Sequence, residues 1–183
     1  VPPDQDTLEP WTIHDSNSYQ IAALAEEAGA AVVNYGILPD DQDQITAAVR
    51  TAIDSHDVII CSGGVSMGDL DFLPAALESF AAEIHFHGLA MKPGRPTLFA
   101  TSAGTLIFGL PGNPVSTLVQ FELFIAPALA MMQGCTFTPR ETTLPLASPF
   151  SRGKTDRHEY LPGYVQDGNI ERVNYQGSGH LSA

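Results

Sequence analysis

Val58-Ile59-Ile60-Cys61 is a short, wholly apolar run, and Ser62-Gly63-Gly64-Val65-Ser66-Met67-Gly68-Asp69-Leu70-Asp71 follows it directly. An apolar run without alternation predicts a strand that is buried on both faces, as in a parallel sheet. The glycines that follow let a backbone approach a ligand, and free N–H groups can hold a phosphate. Their spacing fits neither the dinucleotide fingerprint nor the Walker loop. The alternative is a tight turn in which glycine supplies a positive φ.

Helical and strand patterns alternate around this run, which predicts an α/β fold with a mostly parallel sheet. The predicted helices lie at residues 17–28, 45–53, 72–80 and 114–133, with a kink at Pro127. The predicted strands lie at residues 30–37, 58–61, 84–90, 97–100 and 105–109, with a hairpin turn at 102–104. The pattern changes after Gly134. We expect an α/β domain at residues 1–135 and a small all-β domain at 136–183, with strands at 160–165 and 170–175.

Composition narrows the possible partners. The chain has 183 residues, of which 44% are hydrophobic and 16% charged, and its net charge is −13. So acidic a chain is expected to bind neither nucleic acid nor an anionic membrane surface. Two cysteines are too few for a disulfide scaffold, which predicts a reducing compartment such as the cytoplasm. We expect no apolar run in the sequence to be long enough to cross a membrane.

Two further loops carry residues suited to ligand binding. Met91-Lys92-Pro93-Gly94-Arg95-Pro96 places two of the eight lysines and arginines within four residues, on a loop stiffened by proline. These cations are candidates for contact with an anion, the alternative being a solvated surface loop. Gly109-Leu110-Pro111-Gly112-Asn113-Pro114-Val115-Ser116 joins a strand to a helix. Asn113 and Pro114 suit a helix start, whose free N–H groups also suit an anion, and both interpretations can hold together.

Six aspartates stand in loops next to predicted strands and helices: Asp15, Asp40, Asp41, Asp43, Asp69 and Asp71. Carboxylates gathered from such loops are able to bind Mg²⁺. The alternative is helix capping, which is favoured for Asp41 and Asp43. His85 and His87 alternate on one predicted strand without partners at ligand spacing, so zinc is not expected.

The order of these motifs resembles the molybdopterin molybdotransferase family, which includes bacterial MoeA and the E domain of gephyrin. The resemblance rests on Ile13-His14-Asp15-Ser16-Asn17, the Pro39-Asp40-Asp41 loop and the three loops quoted above, and it extends from about residue 13 to the end of the chain. It implies a MogA-like three-layer domain followed by a small β domain. It also implies a reaction in which adenylated molybdopterin and molybdate give molybdenum cofactor and AMP, with Mg²⁺ as the cation.

The resemblance also assigns residues. Asp40, Asp71 and Lys92 are implied as catalytic residues, and Asp40 and Asp71 as the Mg²⁺ ligands. The implied contacts to molybdopterin and molybdate are Ser62, Gly63, Gly64, Ser66, Gly68, Pro93, Gly94, Pro111, Gly112, Asn113, Ser116, Arg157 and Ser178. Arg157 lies in Asp156-Arg157-His158-Glu159-Tyr160 and Ser178 in Gln176-Gly177-Ser178-Gly179-His180, where the match is looser.

Some parts of the family pattern have no counterpart in this sequence. The family's first strand of the α/β domain and its two N-terminal domains are expected before Val1, so we expect a fragment that is inactive alone. The family also implies a homodimer in the full-length protein and a possible adenylyltransferase partner. Two other functions stay open: a molybdopterin adenylyltransferase of the MogA type, and a non-catalytic scaffold that binds peptides.

Overall fold

The computed structural model describes residues 1–2, 5, 9–10, 12–65, 72–139, 141–153 and 156–173. The helices are α1 (Asn17–Glu27), α2 (Gln42–Ile53), α3 (Phe72–Ser79), α4 (Pro114–Gln120) and α5 (Ala126–Met132), with a π-helical turn at Phe121–Ile125 between the last two. The strands are β1 (Val58–Ser62), β2 (Glu83–His87), β3 (Met91–Lys92), β4 (Leu98–Ser102), β5 (Thr105–Leu110), β6 (His158–Glu159), β7 (Gly163–Gln166) and β8 (Asn169–Arg172).

The central sheet has four strands in the order β1-β5-β4-β2. β1 pairs with β5 in parallel, from Val58 opposite Leu106 to Ser62 opposite Leu110. β4 is antiparallel to both of its neighbours, so β1, β5 and β2 run in one direction and β4 alone runs in the other. The predicted α/β fold with a mostly parallel sheet is therefore confirmed. The predicted hairpin turn is also confirmed, since Ala103 and Gly104 both have positive φ between β4 and β5.

Two apolar clusters cover the two faces of this sheet. On one face, Val49 of α2 and Leu77 of α3 pack against Ile107. On the other, Ala25 of α1 and Phe121 pack against Phe108. Neighbouring residues of β5 enter opposite clusters because side chains alternate along a strand. Helices therefore cover both faces, which gives three layers.

The predicted strand at residues 30–37 is wrong. The segment has no strand pairing, and its apolar side chains are exposed, among them Val33, Tyr35 and Ile37. It lies across a cavity from β1, with the Tyr35 hydroxyl 3.1 Å from His56 Nε2. A strand needs a hydrogen-bonding neighbour about 4.8 Å away. The cavity lies where such a neighbouring strand would be, so a composition typical of strands is not sufficient to form one here.

The predicted helix at 114–133 is interrupted rather than only kinked. A π-helical turn at Phe121–Ile125 precedes α5, whose first turn contains Pro127. Proline lacks an N–H donor, and a π turn is one way for a helix to accommodate a break in its hydrogen bonds. The whole stretch of 19 residues, with a mean hydropathy of 1.6, is long and apolar enough to cross a membrane by length and composition. This corrects the expectation that no apolar run reaches that length, although Phe121 and Ile125 are fully buried in the core.

After α5 the described residues form only short strands. β6 pairs in parallel with β3, while β7 and β8 form a hairpin joined to Leu146 by a bridge at Ile170. The hairpin begins three residues after the first strand expected here, and residues 174–175 of the second lie outside the described residues. We propose that residues 136–183 form a small β domain, since strand pairs replace helices there.

Candidate functional site

Two of the predicted ligand loops meet at the carboxyl end of the sheet. β1 and β5 are parallel neighbours that end opposite each other, at Ser62 and Leu110. Beyond these ends, the Gly63 N–H donates to the Leu110 carbonyl at 2.9 Å. The loop that begins at Ser62 therefore lies against the loop that contains Gly112. Such an edge of a parallel sheet is the usual place for a ligand.

An open cavity of about 1110 Å³, here called the groove, runs from these loops along the outer edge of β1. Five of the predicted site residues line it: Ser62, Gly63, Gly64, Gly112 and Asp40. Asp15 and Asn17, at the start of α1, line the same end. Residues 30–38, which are mostly apolar, also line the groove. The groove therefore has a polar end at the glycine loops and is large enough for a small-molecule ligand.

Asn17 is a site residue that the sequence patterns did not single out as a ligand contact. It is the first residue of α1, where the Asp15 carboxylate accepts from the Ser18 N–H at 3.1 Å. The Asn17 side chain is thereby left to bond elsewhere. Its Nδ2 donates to Ser62 Oγ at 2.7 Å and to the Gly112 carbonyl at 2.9 Å. One amide group thus joins both ligand loops to the first helix.

The predicted helix start at Asn113 and Pro114 is confirmed. Asn113 Oδ1 accepts from the N–H groups of Val115 and Ser116, at 3.1 and 3.2 Å, and Pro114 is the first residue of α4. Ser116 is only 5% exposed, with its hydroxyl 3.5 Å from the same Asn113 oxygen. The structure therefore places Ser116 under the loop, whereas Gly112 lies on the groove.

The Lys92 loop is held against α4 rather than on the groove. Gln120, fully buried, donates from Nε2 to the Gly94 carbonyl at 3.3 Å and to the Met91 sulfur at 2.9 Å. The Thr97 hydroxyl donates to the same Gly94 carbonyl at 2.7 Å. Since α4 begins directly after the Gly112 loop, this helix connects the two loops mechanically.

A cluster of charges stands where β3 meets β6. Glu159 has a side chain that is 9% exposed, and its carboxylate pairs with Lys92, at 3.3 Å, and with Arg152. The paired strands place His158 opposite Met91, so Arg157 directly precedes this ladder, and its own Nε lies 3.7 Å from Asp156. Arg152 and Glu159 were not predicted as site residues. One signal for Glu159 was available in the sequence, its position two residues after Arg157. Nothing in the sequence connects Glu159 with Lys92.

The predicted carboxylates fall into separate roles. Asp41 Oδ1 accepts from the Gln44 N–H at 2.9 Å, so its predicted capping role is confirmed, while Asp40 lines the groove. Among the residues that the structure describes, no three His, Cys, Asp or Glu side chains gather into a metal-binding set. Four predicted site residues lie outside the described residues: Ser66, Gly68, Asp71 and Ser178.

The two cysteines have different surroundings. Burial raises the pKa of the Cys61 thiol to about 11, whereas Cys135 is exposed. A higher pKa means less thiolate, the form that attacks alkylating reagents. At pH 8 we expect iodoacetamide to modify Cys61 about 100-fold more slowly than an ordinary thiol, while Cys135 reacts at a normal rate. Mass spectrometry of the two peptides checks this, and equal rates in the folded protein would contradict the raised pKa of Cys61.

Comparison with known proteins finds relatives by sequence and by structure. A family profile described as "Probable molybdopterin binding domain" matches residues 5–131. The molybdopterin molybdenumtransferase of Staphylococcus aureus (strain N315) is 43% identical over 129 residues, which cover 70% of this chain and 31% of that protein. That of Bacillus subtilis (strain 168) is 44% identical over 124 residues, or 68% of this chain and 29% of that protein. The chain thus spans less than a third of the length of these relatives.

Solved structures share the fold. The molybdopterin biosynthesis protein moeA of Pyrococcus horikoshii OT3 superposes with a TM-score of 0.73 at 28% identity, over 99% of this chain and 42% of that chain. The enzyme MoaB of Thermus thermophilus superposes at 0.53 with 19% identity, over 69% of this chain and 89% of that one, which is a likeness of fold alone. The chain therefore belongs to the family of the probable molybdopterin binding domain, and its resemblance to the molybdopterin molybdenumtransferases is confirmed.

Proposed function

We propose that the full-length protein transfers molybdate to adenylated molybdopterin and releases molybdenum cofactor and AMP. The observation that carries this proposal is the junction of two glycine loops at the polar end of the groove, with helix α4 linking them to the Lys92 loop. The names of the relatives favour the transferase over an adenylyltransferase of the MogA type, because the likeness to a smaller enzyme such as MoaB is one of fold alone.

In this proposal the glycine loops bind the phosphorylated pterin. Ser62 is exposed and offers a hydroxyl, while Gly63 and Gly64 have positive φ, which brings the backbone close to a ligand. The N-terminus of α4 adds the partial positive charge of a helix dipole. Ser66 and Gly68 extend the loop in sequence, and Pro111, Gly112 and Asn113 complete the other side.

The cations of the Lys92 loop receive molybdate. The chain carries a net charge of −13, so a dianion needs local positive charge to approach it. Lys92 and Arg152 share the single carboxylate of Glu159, which leaves this group of three with a charge of +1. Exposed Arg95 on the same loop, Pro93, Gly94, Ser116, Arg157 and Ser178 are the other proposed contacts. Hydrogen bonds from cations to an oxyanion are about twice as strong as those between neutral groups.

Mg²⁺ fits the proposed site by the chemistry of its donors. Mg²⁺ is usually held by one or two carboxylates together with water and substrate phosphates. Asp40 lines the groove and supplies one such carboxylate, and Asp71 is the proposed second. When bound, the ion supplies positive charge that offsets the phosphates of the substrate.

The chain's own residues act by positioning and by charge. The raised pKa keeps the Cys61 thiol protonated, so it is a poor nucleophile next to the groove. Lys92 and Arg152 instead offset negative charge and orient the oxyanion, while the glycine loops fix the pterin. Holding two reactants in one geometry can by itself supply much of a rate enhancement.

We further propose that the full-length protein is a cytoplasmic homodimer that receives its substrate from an adenylyltransferase. Free Cys61 and Cys135 agree with a reducing compartment. The dimer and the adenylyltransferase rest on the family resemblance.

The test of the proposed function is an assay of the full-length protein with molybdopterin-AMP, molybdate and Mg²⁺. We expect AMP release that depends on molybdate, and calorimetric binding of both substrates. ATP-dependent adenylation of molybdopterin without molybdate transfer would support the MogA-type alternative. Tight peptide capture with no affinity for any pterin would support the scaffold.

Asp40 and Asp41 form a matched pair for the Mg²⁺ proposal. Asp40→Ala removes a proposed ligand, and we expect the Mg²⁺ concentration for half-maximal transfer to rise about 10-fold, the effect of losing one charged contact. Asp41→Ala removes the same charge one residue away but only the cap of α2, which costs about 1 kcal/mol of stability. Transfer rates measured against Mg²⁺ concentration separate the two, and an equal response of both variants would remove Asp40 from the site.

A further inference from the structure

Asn17 connects three segments that are far apart in sequence. The residue is 9% exposed, and its side chain lies between Ser62, at the end of β1, and Gly112, after β5. The two hydrogen bonds span 45 and 95 residues of sequence. Helix capping does not explain this placement, because a capping side chain accepts from helix N–H groups, whereas the Asn17 amide donates to the two strand ends.

The hydrogen-bond partners fix which way the amide faces. A backbone carbonyl only accepts, so the group that points to Gly112 must be the Nδ2 amine and cannot be the oxygen. The same amine donates to Ser62 Oγ at 2.7 Å. Asn17 Oδ1 has no hydrogen-bond partner within the described part of the chain. An unpartnered buried oxygen is costly, which indicates that the two donor contacts determine the orientation.

This orientation sets the polarity of the Ser62 hydroxyl. A hydroxyl oxygen that accepts from Asn17 keeps its own hydrogen free to donate elsewhere. Ser62 is exposed and lines the groove. The oxygens of an ionised phosphate only accept hydrogen bonds, so they require a donor at this position.

We infer that Asn17 is a positioning residue that turns the Ser62 hydroxyl into a hydrogen-bond donor for a phosphate oxygen of the substrate. The inference rests on the proposed function, in which the phosphorylated pterin occupies the glycine loops. The polar end of the groove then favours a ligand group that only accepts hydrogen bonds. Helix α1 contributes to this preference through the side-chain amide of Asn17.

Asn17→Asp tests the inference with little change of shape. A carboxylate only accepts, so the Ser62 hydroxyl turns inward to donate to it and presents its lone pairs to the phosphate. We expect calorimetry on the full-length protein to show molybdopterin binding about 10- to 100-fold weaker, as for the loss of one hydrogen bond to a charged group. Ser62→Ala removes the same donor and is expected to weaken binding to a similar degree.

A double-mutant cycle shows whether Asn17 affects molybdopterin binding through Ser62 or independently of it. If Asn17 acts through Ser62, then Asn17→Asp weakens binding much less in the Ser62→Ala background than in the wild type. Equal losses in both backgrounds would overturn the inference while leaving the proposed function intact. Full affinity of Ser62→Ala would instead overturn the placement of the phosphate at this loop.

Two further variants control for folding and added charge. Asn17→Ala removes the link without adding a charge, and we expect a smaller loss of affinity because the hydroxyl is then free to turn. Gln20→Ala, on the same helix, removes another buried and unpartnered side-chain oxygen that does not line the groove. We expect unchanged affinity for it. A loss equal to that of Asn17→Ala would show that weakening α1 suffices, and would overturn the positioning role.

Discussion

Lys92→Ala in the full-length protein is expected to lower the rate of molybdate transfer by about 100- to 1000-fold, the range found when a group that stabilises developing charge is removed. The ammonium of Lys92 lies 3.3 Å from Glu159 and is more than half exposed, so it is able to reach a ligand. Removing it leaves Arg152 paired with the Glu159 carboxylate and no surplus positive charge in that group. Single-turnover assays with molybdopterin-AMP and molybdate measure the effect.

The control for Lys92 is another cation of the same chain. Arg50→Ala lowers the total charge by the same amount, but Arg50 stacks on the Phe80 ring, 4.5 Å from its centre, on α2. We expect transfer by this variant to stay near the wild-type rate, with only a modest loss of stability. Lys92→Arg should keep part of the activity, because it preserves the charge but changes the geometry. Wild-type transfer by Lys92→Ala would show that the Lys92 loop does not bind molybdate.

The parts of the fold that the sequence predicted correctly depend on local chemistry. The apolar run at residues 58–61 predicted the strand β1 correctly, but of its residues only Ile59 is buried overall, because β1 lies at the edge of the sheet. Asn113 followed by Pro114 suits the start of a helix, and Ala103-Gly104 suits a tight turn between strands. The meeting of the Ser62 and Gly112 loops was not predicted, but it follows once β1 and β5 are seen to be parallel neighbours, since such strands end at the same edge.

The parts that were missed depend on partners distant in sequence. Residues 30–37 have a strand-like composition, but pairing requires a neighbour that a local pattern cannot show. Asn17 stood in the sequence as part of the motif at residues 13–17, and only the folded chain shows its amide between Ser62 and Gly112. The contact of Glu159 with Lys92 likewise arises from the pairing of β3 and β6, two strands of two residues each. Such contacts belong to the tertiary structure, and they include the residues that we propose orient the site.

Gly94→Ala is expected to cost more stability than any other alanine substitution proposed for these loops. Gly94 has a φ of +101°, and a Cβ there would overlap Gln120 Nε2 and come within 2.8 Å of Gln120 Cδ. The positive φ costs about 1–2 kcal/mol for a residue with a side chain. Overpacking adds about 1–3 kcal/mol, because Gln120 is fully buried and has little room to move. Urea unfolding at equilibrium measures the sum as a lower midpoint with an unchanged m-value.

Gly88→Ala separates the two costs. Gly88 has the same φ of +101°, but a Cβ there would meet only the Arg95 carbonyl oxygen, at 3.8 Å. This variant should therefore lose only the about 1–2 kcal/mol of backbone strain. If both variants lost the same stability, the contact between Gly94 and Gln120 would not constrain the loop. If Gly94→Ala loses more, the difference measures how firmly α4 holds the loop that presents Lys92, and molybdate transfer should fall with it because Lys92 is displaced.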